Sequence, residues 1–298
     1  MELQKLRALV ALAQSASYTE AAGRLYTTQS NVSKQILSLE RELGVRLVER
    51  SRRGVALTPA GETAVRGAQK ILDEYDAMCR ALRTDSGQLT LACIPIVAHY
   101  GVTGLFSGFQ RAYPALRLAV EEREDSNLLD AVRSGAWEAA VCRTDQDCSG
   151  LEKLVLCRDR MVAALPAGHP LAREEAVSLT QLQQEEFLQL GPTSTLYQTV
   201  LDICRAAGFT PRITYTSTRM ETLLELVREG NGVSLMMARA AAYLPIAGVV
   251  LRPLREEVVS ELSLVRAAAG RRSLAASRFW TYAAGWVRWQ EEGAAGER

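Results

Sequence analysis

Residues 27–44 of this 298-residue chain read TTQSNVSKQILSLERELG, which is the pattern of a single amphipathic helix. Thr27 or Thr28 is suited to cap the first turn, and Gly44 is suited to end the helix. The apolar residues recur at spacings of four, three and four, and they are Val32, Ile36, Leu39 and Leu43. The segment therefore predicts a helix from about residue 29 to 43 with one buried face.

The opposite face of this helix is small, polar and basic, so it fits a DNA major groove about 12 Å wide. Glutamine can bond adenine through two atoms, and serine and lysine can donate to bases or phosphates. The candidate DNA contacts on this segment are Thr28, Gln29, Ser30, Ser33 and Lys34. Taken alone, the same face also fits an ordinary solvated helix, so the flanking sequence has to decide between the two.

The flanking sequence predicts two more helices before this one and a β-hairpin after it. Two short strand-like runs, residues 45–47 and 55–57, flank a basic tip. Arg52 and Arg53 at this tip are placed to reach a phosphate or a narrow minor groove, whose potential attracts arginine. Residues 1–58 are thus predicted to form a winged helix-turn-helix that binds DNA.

Four sequence motifs occur in the order and spacing of a known family. They are SYTEAA at 17–22, QSNVSKQI at 29–36, LGVRLVER at 43–50 and LTPAG at 57–61. With them the chain closely resembles the LysR-type transcriptional regulators. The resemblance implies a regulator that binds double-stranded DNA and responds to a small-molecule effector. It also implies an α/β fold in which the winged helix-turn-helix and a linker helix precede a periplasmic-binding-protein-like pair of doubly wound α/β subdomains.

A linker helix and hinge are predicted over residues 59–87, because Thr58 is a good N-cap and Pro59 a good first helical residue. Apolar residues then alternate at spacings of three and four, and they are Val65, Ala68, Leu72, Tyr75, Cys79 and Leu82. This seam predicts a helix that pairs two copies of the chain; packing on the core of its own domain is the alternative. The resemblance implies a homodimer formed through this helix and favours a tetramer.

From residue 88 onward, strand and helix patterns alternate with short loops, which predicts doubly wound parallel sheets. We expect an effector-binding domain over 88–298, with subdomain I formed by 88–163 and 265–298 and subdomain II by 164–264. Such sheets bind ligands at the carboxyl ends of strands and at helix N-termini. The candidate effector contacts at these positions are Ile94, Pro95, Ile96, Thr144, Thr193, Ser194, Thr195, Ser217 and Thr218.

The loop after the first strand of this domain is apolar, Ile94-Pro95-Ile96. In the family resembled here, a serine or threonine often stands in this loop and faces the cleft. Its replacement by apolar residues predicts an effector more apolar or aromatic than an amino acid or a dicarboxylate.

Composition sets further limits on the class of protein. Hydrophobic residues make up 48% of the chain and charged residues 23%, and no run of about 18 apolar residues or signal-peptide pattern occurs. We therefore expect a cytoplasmic protein with no membrane partner. The six cysteines and two histidines are scattered, so we expect reduced thiols, no metal site and no cofactor. Residues 1–58 carry nine basic and five acidic side chains, although the whole chain has a net charge of only +1.

Two other functions are weighed against a ligand-responsive regulator. An enzyme is disfavoured because the nucleophile-elbow, dinucleotide-binding and phosphate-loop motifs are all missing from the sequence, and no catalytic residues are predicted. A redox sensor on the same scaffold is the other alternative, since Cys142 and Cys148 lie six residues apart on a predicted loop. Such a sensor needs an exposed thiol of low pKa with a second thiol to resolve it.

Overall fold

The computed structural model describes residues 2–15, 17–51, 54–81, 87–123, 127–270 and 272–296, with the side chains of 50–51, 54, 73, 76–77, 79–81 and 291–296 left out of the description. The chain forms two compact units, Met1–Arg83 and Thr84–Arg298. In the described part of the chain, no helix is long and apolar enough to cross a membrane.

The N-terminal unit consists of three short helices, a hairpin and a long helix. They are α1 (Leu3–Ser15), α2 (Tyr18–Arg24), α3 (Gln29–Leu43), β1 (Val48–Ser51), β2 (Gly54–Leu57) and α4 (Pro59–Ala81). The predicted ends of α3 are confirmed. Thr28 is its N-cap and accepts a hydrogen bond from the Asn31 amide at 3.3 Å, and Gly44 ends it with a left-handed φ of 70°.

The core of this unit forms where α1 packs against α2, α3 and α4, and where α2 packs against α3. Val32, Ile36 and Leu39 are buried there, as the spacing predicts. Leu43 is 47% exposed, so its predicted burial is wrong. The core that contains the inner face of α3 reaches Leu39, and Leu43 lies one turn beyond it.

The hairpin begins later than the sequence pattern predicts. Its first strand, β1, starts at Val48, and the expected strand over residues 45–47 is absent from this described segment. Glu40 of α3 explains the difference, because its carboxylate accepts the backbone N–H groups of Leu47 at 2.7 Å and Val48 at 3.2 Å. These bonds tie the start of the hairpin to α3 instead of to a partner strand.

The start of α4 is fixed against the hairpin by a close backbone approach. Thr58 caps the helix, accepting from the Gly61 amide at 3.0 Å and donating to the Arg46 carbonyl at 2.7 Å. A Cβ atom at Gly61 would lie 2.0 Å from the Leu47 carbonyl oxygen, so a residue with a side chain does not fit there. Glycine at this position is therefore a packing requirement of the N-terminal unit.

Part of the predicted dimer seam of α4 packs against the core of its own unit. Ala68 and Leu72 are buried in the N-terminal core and Val65 packs against it, which is the alternative stated for this helix. Tyr75 stays 36% exposed. The Cys79 side chain and Leu82 lie outside the described residues.

A different apolar stripe of α4 faces solvent. Its members, at spacings of four and three, are Ile71, Tyr75 and Met78, each with more than a third of its surface exposed. Spacings of three and four put these three side chains on one side of the helix.

The C-terminal unit is built of alternating strands and helices. Its elements are β3 (Gln88–Cys93), α5 (Val102–Ala112), β4 (Arg117–Glu122), α6 (Leu128–Arg133), β5 (Ala139–Arg143), β6 (Leu151–Pro166), β7 (Glu186–Leu190), α7 (Thr195–Ala206), β8 (Arg212–Ser217), α8 (Met220–Arg228), β9 (Ser234–Met237), α9 (Ala238–Ala242), β10 (Val249–Pro253), β11 (Val259–Ala267) and α10 (Leu274–Gly296). A short 3-10 helix, Val97–Tyr100, precedes α5.

The main sheet has the strand order β10-β6-β11-β5-β3-β4, and β9 also pairs with β6. Strands β3, β4 and β5 are parallel, as predicted. The long strands β6 and β11 instead run antiparallel to each other, and β11 runs antiparallel to β5. The sheet is therefore mixed, because the two strands that connect the subdomains cross it in opposite directions.

Strand β6 belongs to both subdomains. Residues 151–160 pair with β11, and residues 161–166 pair with β9 and β10. The chain thus changes sheets after residue 160 and returns at residue 259, whereas the expected subdomain limits were 163/164 and 264/265. In subdomain II, β7 and β8 form a second, parallel pair.

The close approach at Gly61 makes a prediction about stability. Replacing Gly61 with alanine forces α4 away from the Leu47 carbonyl, and we expect this to destabilise the N-terminal unit by about 1–3 kcal/mol. Gly67→Ala is the matched control, since a Cβ there meets no atom within 4 Å and alanine favours a helix interior. Calorimetric unfolding of the full chain checks this, and equal melting curves for the two variants would contradict it.

Candidate DNA-binding surface and effector pocket

The outer face of α3 presents the polar side chains named from the sequence. Gln29, Ser30 and Lys34 are exposed, and Ser33 is half-buried. The Thr28 hydroxyl lies 3.0 Å from the Ser30 hydroxyl while it also caps the helix. The first two turns of α3 therefore offer hydroxyl, amide and ammonium groups to a partner. Arg52 and Arg53, the other candidate DNA contacts, lie outside the described residues.

The turn between α2 and α3 holds a tyrosine that the sequence motifs do not single out. Tyr26 is 98% exposed and has a φ of 52°, a left-handed conformation that is usual for glycine or asparagine. Its amide donates to the Gly23 carbonyl at 3.3 Å, which closes the end of α2. A signal for it exists in the sequence: in the short turn between α2 and α3, the left-handed position is occupied by an aromatic residue instead of glycine.

A pocket that is open to solvent at its mouth lies in the C-terminal unit. It brings together most of the candidate effector contacts, namely Ile94, Pro95, Ile96, Thr193, Ser194, Thr195, Ser217 and Thr218. The lining also includes side chains that the sequence did not suggest, namely Arg143, Leu190, Leu196 and Met220. One wall is apolar and comes from the loop after β3, and another carries hydroxyl groups from the loops before α7 and after β8.

Thr144 is the candidate that lies away from this pocket. It is buried, and its hydroxyl is 2.8 Å from the Ser263 hydroxyl of β11. Neighbouring side chains at the end of a strand point to opposite faces of the sheet. Arg143, one residue earlier, therefore occupies the pocket wall that was assigned to Thr144.

The hydroxyl groups at the pocket are partly engaged by the backbone. Ser194 caps α7 and accepts from the Leu196 amide at 3.3 Å, and Ser217 accepts from the Arg219 amide at 3.0 Å. Each of these hydroxyls keeps its own hydrogen to donate into the pocket. The N-terminus of α7, a helix of 12 residues, also opens at this wall.

A buried polar network lies behind the pocket. Arg143 donates to the Ser260 hydroxyl at 2.7 Å and to the Tyr100 hydroxyl at 2.9 Å. Tyr100 in turn donates to the Asp159 carboxylate at 2.7 Å, and Asp159 accepts from the Arg239 amide at 3.1 Å. These bonds join the 3-10 helix, β5, β6 and the start of α9, so they connect the pocket to both subdomains.

The described thiols are buried to different degrees and unpaired. Burial raises the pKa of Cys93 and of Cys142 to about 12 and that of Cys204 to about 11. Cys148 is half-buried on the loop after β5, and its Sγ lies 3.4 Å from the Gln146 carbonyl oxygen. In the described part of the chain, no group of three or more histidine, cysteine, aspartate or glutamate side chains is placed to hold a metal ion.

Family comparisons agree with both units of this fold. The description "Bacterial regulatory helix-turn-helix protein, lysR family" matches residues 3–62, and "LysR substrate binding domain" matches residues 83–288. The chain belongs to the LysR family and is a DNA-binding transcriptional regulator. The fold predicted from the sequence, a winged helix-turn-helix followed by an α/β effector domain, is confirmed.

Individual relatives cover nearly the whole chain. It is 34% identical over 275 residues to a probable hydrogen peroxide-inducible genes activator of Mycobacterium leprae (strain TN), covering 90% of this chain and 85% of that protein. It is 31% identical over 295 residues to the uncharacterized HTH-type transcriptional regulator YnfL of Escherichia coli (strain K12), covering 94% and 96%. Among solved structures it is similar to HinK, a LysR family transcriptional regulator from Pseudomonas aeruginosa, with 28% identity, a TM-score of 0.55 and coverage of 96% and 99%.

The polar groups of α3 predict two kinds of effect on DNA binding. Gln29→Ala removes a group suited to base edges, so we expect affinity to fall for the preferred sequence and little for unrelated DNA. Lys34→Ala removes a cation suited to a phosphate, so we expect a similar loss for every sequence and a salt dependence shallower by about one unit of slope. Fluorescence anisotropy with both DNAs at several salt concentrations measures this.

Lys70→Ala on α4 is the charge-matched control, since it removes one exposed lysine that lies off α3. We expect it to leave the preference for one sequence unchanged. A uniform loss for Gln29→Ala, or a sequence-selective loss for Lys34→Ala, would contradict the assigned roles.

Proposed function

We propose that the regulator reads DNA through α3 and the hairpin, and that a small-molecule effector in the pocket of the C-terminal unit controls this binding. The proposed DNA contacts are Thr28, Gln29, Ser30, Ser33 and Lys34, with Arg52 and Arg53 at the hairpin tip. Exposed Tyr26 is added to them, because its phenol stands free beside α3. The single observation that carries the effector part is the pocket, which gathers apolar, hydroxyl and guanidinium groups in one place.

The pocket suits an effector because its lining is largely apolar with a few polar groups that converge on it, the usual make-up of a small-molecule site. The polar network behind it reaches elements of both subdomains. A ligand that fits one arrangement of the subdomains better than another shifts the population toward it. Ligand and DNA then change each other's affinity by the same factor.

Selection of bound fragments from random-sequence DNA tests the DNA-reading part. Two copies of a winged helix-turn-helix related by two-fold symmetry read two half-sites, so we expect a selected site with two similar halves in inverted order. Selected DNA without a shared sequence would contradict sequence-specific reading.

We also propose that two chains pair through the exposed stripe Ile71, Tyr75 and Met78 of α4, and that such dimers associate further into tetramers. Three large apolar side chains in a row on a helix surface are typical of a face that packs on a partner helix. This stripe replaces the seam drawn from the sequence, since Ala68 and Leu72 are already buried within one chain.

If two chains pair through this stripe, a charged side chain placed in it is expected to change the oligomeric state. Tyr75→Glu puts a carboxylate in an apolar contact between chains, so we expect the oligomer to dissociate and DNA affinity to fall with it. Arg66→Glu is the control, because Arg66 lies on a different, exposed side of α4. Sedimentation velocity distinguishes the two; an unchanged sedimentation coefficient for Tyr75→Glu would rule out pairing through this stripe.

A thiol-based sensor is the second candidate, and the name of the Mycobacterium leprae relative is the observation that favours it. The described thiols weigh against it, because thiolate is the reactive form and burial raises the pKa of Cys142 far above neutral. Cys148 would then have no thiolate partner at neutral pH in the pair suggested from the sequence.

The raised pKa of Cys142 predicts that the Cys142–Cys148 pair resists oxidation to a disulfide. At neutral pH we expect native protein treated with hydrogen peroxide to form no disulfide between these two residues and to keep its DNA affinity, because Cys142 is buried and stays protonated. Thiol titration before and after treatment checks this, and Cys148→Ser is the matched variant. Loss of two thiols per chain in the native protein, absent in Cys148→Ser, would favour the sensor.

A further inference from the structure

Arg143 at the end of β5 is a buried cation that lines the pocket. Its exposed fraction is 3%, and it is the one basic residue among the described residues of the lining. Both of its recorded hydrogen bonds go to hydroxyl groups, those of Ser260 and Tyr100. Among the described residues, no carboxylate forms an ion pair with it.

The hydroxyl partners of Arg143 bring no negative charge to it. Burial raises the pKa of Tyr100, so its phenol stays neutral at physiological pH. Two carboxylates lie one hydroxyl group further away, since Tyr100 donates to Asp159 and Ser260 donates to Asp145. Backbone amides also bond both: Asp159 accepts from the Arg160 and Arg239 amides at 2.8 and 3.1 Å, and Asp145 accepts from the Glu261 amide at 2.8 Å.

A cation in this position has a large desolvation cost that an adjacent anion would offset. Buried charges in proteins are usually paired, and an unpaired one is strongly unfavourable. The guanidinium faces a pocket whose described lining contains no acidic side chain. The missing negative charge is therefore expected to come from what the pocket binds.

The rest of the lining indicates the shape and chemistry of that molecule. The opposite wall supplies hydroxyl donors and the N-terminus of α7, which also favour a negative group. Ile94, Ile96, Leu190, Leu196 and Met220 form apolar surface in between. An inorganic anion would leave this apolar surface in contact with water, whereas an organic body would cover it.

We propose that the pocket binds an organic monocarboxylate with an apolar or aromatic body, whose carboxylate pairs with Arg143. The proposal rests on the proposed function, since it names the class of effector for that same pocket. The Ile94–Ile96 loop alone predicts an apolar or aromatic effector. The position of Arg143 adds a negatively charged group to that effector. A carboxylate can take two parallel bonds from a guanidinium, which would fix its orientation in the pocket.

The same contact would carry the effect of the ligand to the second subdomain. Two guanidinium groups, those of Arg143 and Arg239, each lie 5.7 Å from the centroid of the Tyr100 ring. Tyr100 also donates to Asp159, which holds the Arg239 amide at the start of α9. A carboxylate that draws Arg143 toward the pocket weakens its bond to Tyr100 and so alters a group that both subdomains share.

Matched pairs of ligands test the charge requirement on the unaltered full-length protein. The probes are benzoate, phenylacetate, cinnamate and salicylate, each beside its carboxamide, with sodium sulfate and sodium phosphate as inorganic arms. In thermal-shift and calorimetric titrations, we expect one or more carboxylates to bind about tenfold or more tighter than the matching amide, with the inorganic anions weaker. Equal binding of acid and amide, binding of the inorganic anions alone, or no binding by any carboxylate would overturn the proposal.

Variants of Arg143 then test whether this residue is the group that recognises the carboxylate. We expect Arg143→Gln to lose the preference for acid over amide, and Arg143→Lys to keep part of it as a charge without the planar fork. Arg158→Gln is the matched control, because Arg158 lies on β6 of the same sheet, two strands from β5, is largely exposed and pairs with Glu261. Arg143→Gln with an intact preference would overturn the assignment; if that variant does not fold, the ligand pairs and Arg143→Lys decide the question.

The outcome separates this proposal from the proposed function. If sequence-specific DNA binding responds to a neutral pocket ligand, the carboxylate proposal is contradicted and the proposed function is supported. If a carboxylate binds at Arg143 without any effect on DNA affinity, the carboxylate proposal is supported and control of DNA binding by the pocket ligand is contradicted.

Discussion

The hydrogen bonds that meet at the buried carboxylate of Asp159 hold the two halves of the C-terminal unit in register. Tyr100 donates to it from one subdomain, and the Arg239 amide donates from the other. Asp159 stands on β6 beside the point where this strand leaves one sheet and joins the next. A buried carboxylate is tolerated only when donors surround it, so these groups must stay together for either half to keep its position. The shape of the pocket therefore depends on the hydrogen bonds that join the two subdomains at Asp159.

Arg143 links the pocket to the hydrogen bonds around Asp159. Arg143 bonds Tyr100 and also lines the pocket, so the proposed carboxylate would compete with the phenol for the same guanidinium. In the N-terminal unit the comparable fixed point is the close packing of Gly61 on Leu47, which sets the start of α4 against the hairpin. Each unit thus has one local contact that fixes how its elements pack, a backbone approach in the N-terminal unit and a buried polar network in the C-terminal unit.

The sequence predicts those features of the structure for which local capping and spacing signals agree with the tertiary packing. The ends of α3 follow from Thr28 and Gly44. The hydroxyl loop before α7 was placed at a strand end because open α/β sheets bind ligands there. Its role in binding an effector stays a proposal.

Other features depend on contacts that spacing cannot show. The seam of α4 reads as a dimer contact, but Ala68 and Leu72 pack on α1 and its neighbours within the chain. The pocket residue at the end of β5 is Arg143 and not Thr144, because a shift of one residue along a strand reverses the side chain. The length of β6 was missed, since a strand that pairs in two sheets changes its buried face partway along.

The most direct test of the account is thermodynamic reciprocity between ligand and DNA. Titration calorimetry would give the affinity of the protein for the best-binding carboxylate with and without its selected DNA, and anisotropy would give the DNA affinity with and without that carboxylate. The account predicts that both affinities change by the same factor, and that Arg143→Gln abolishes this coupling while DNA binding itself persists. A carboxylate affinity that is the same in free and DNA-bound protein would contradict it.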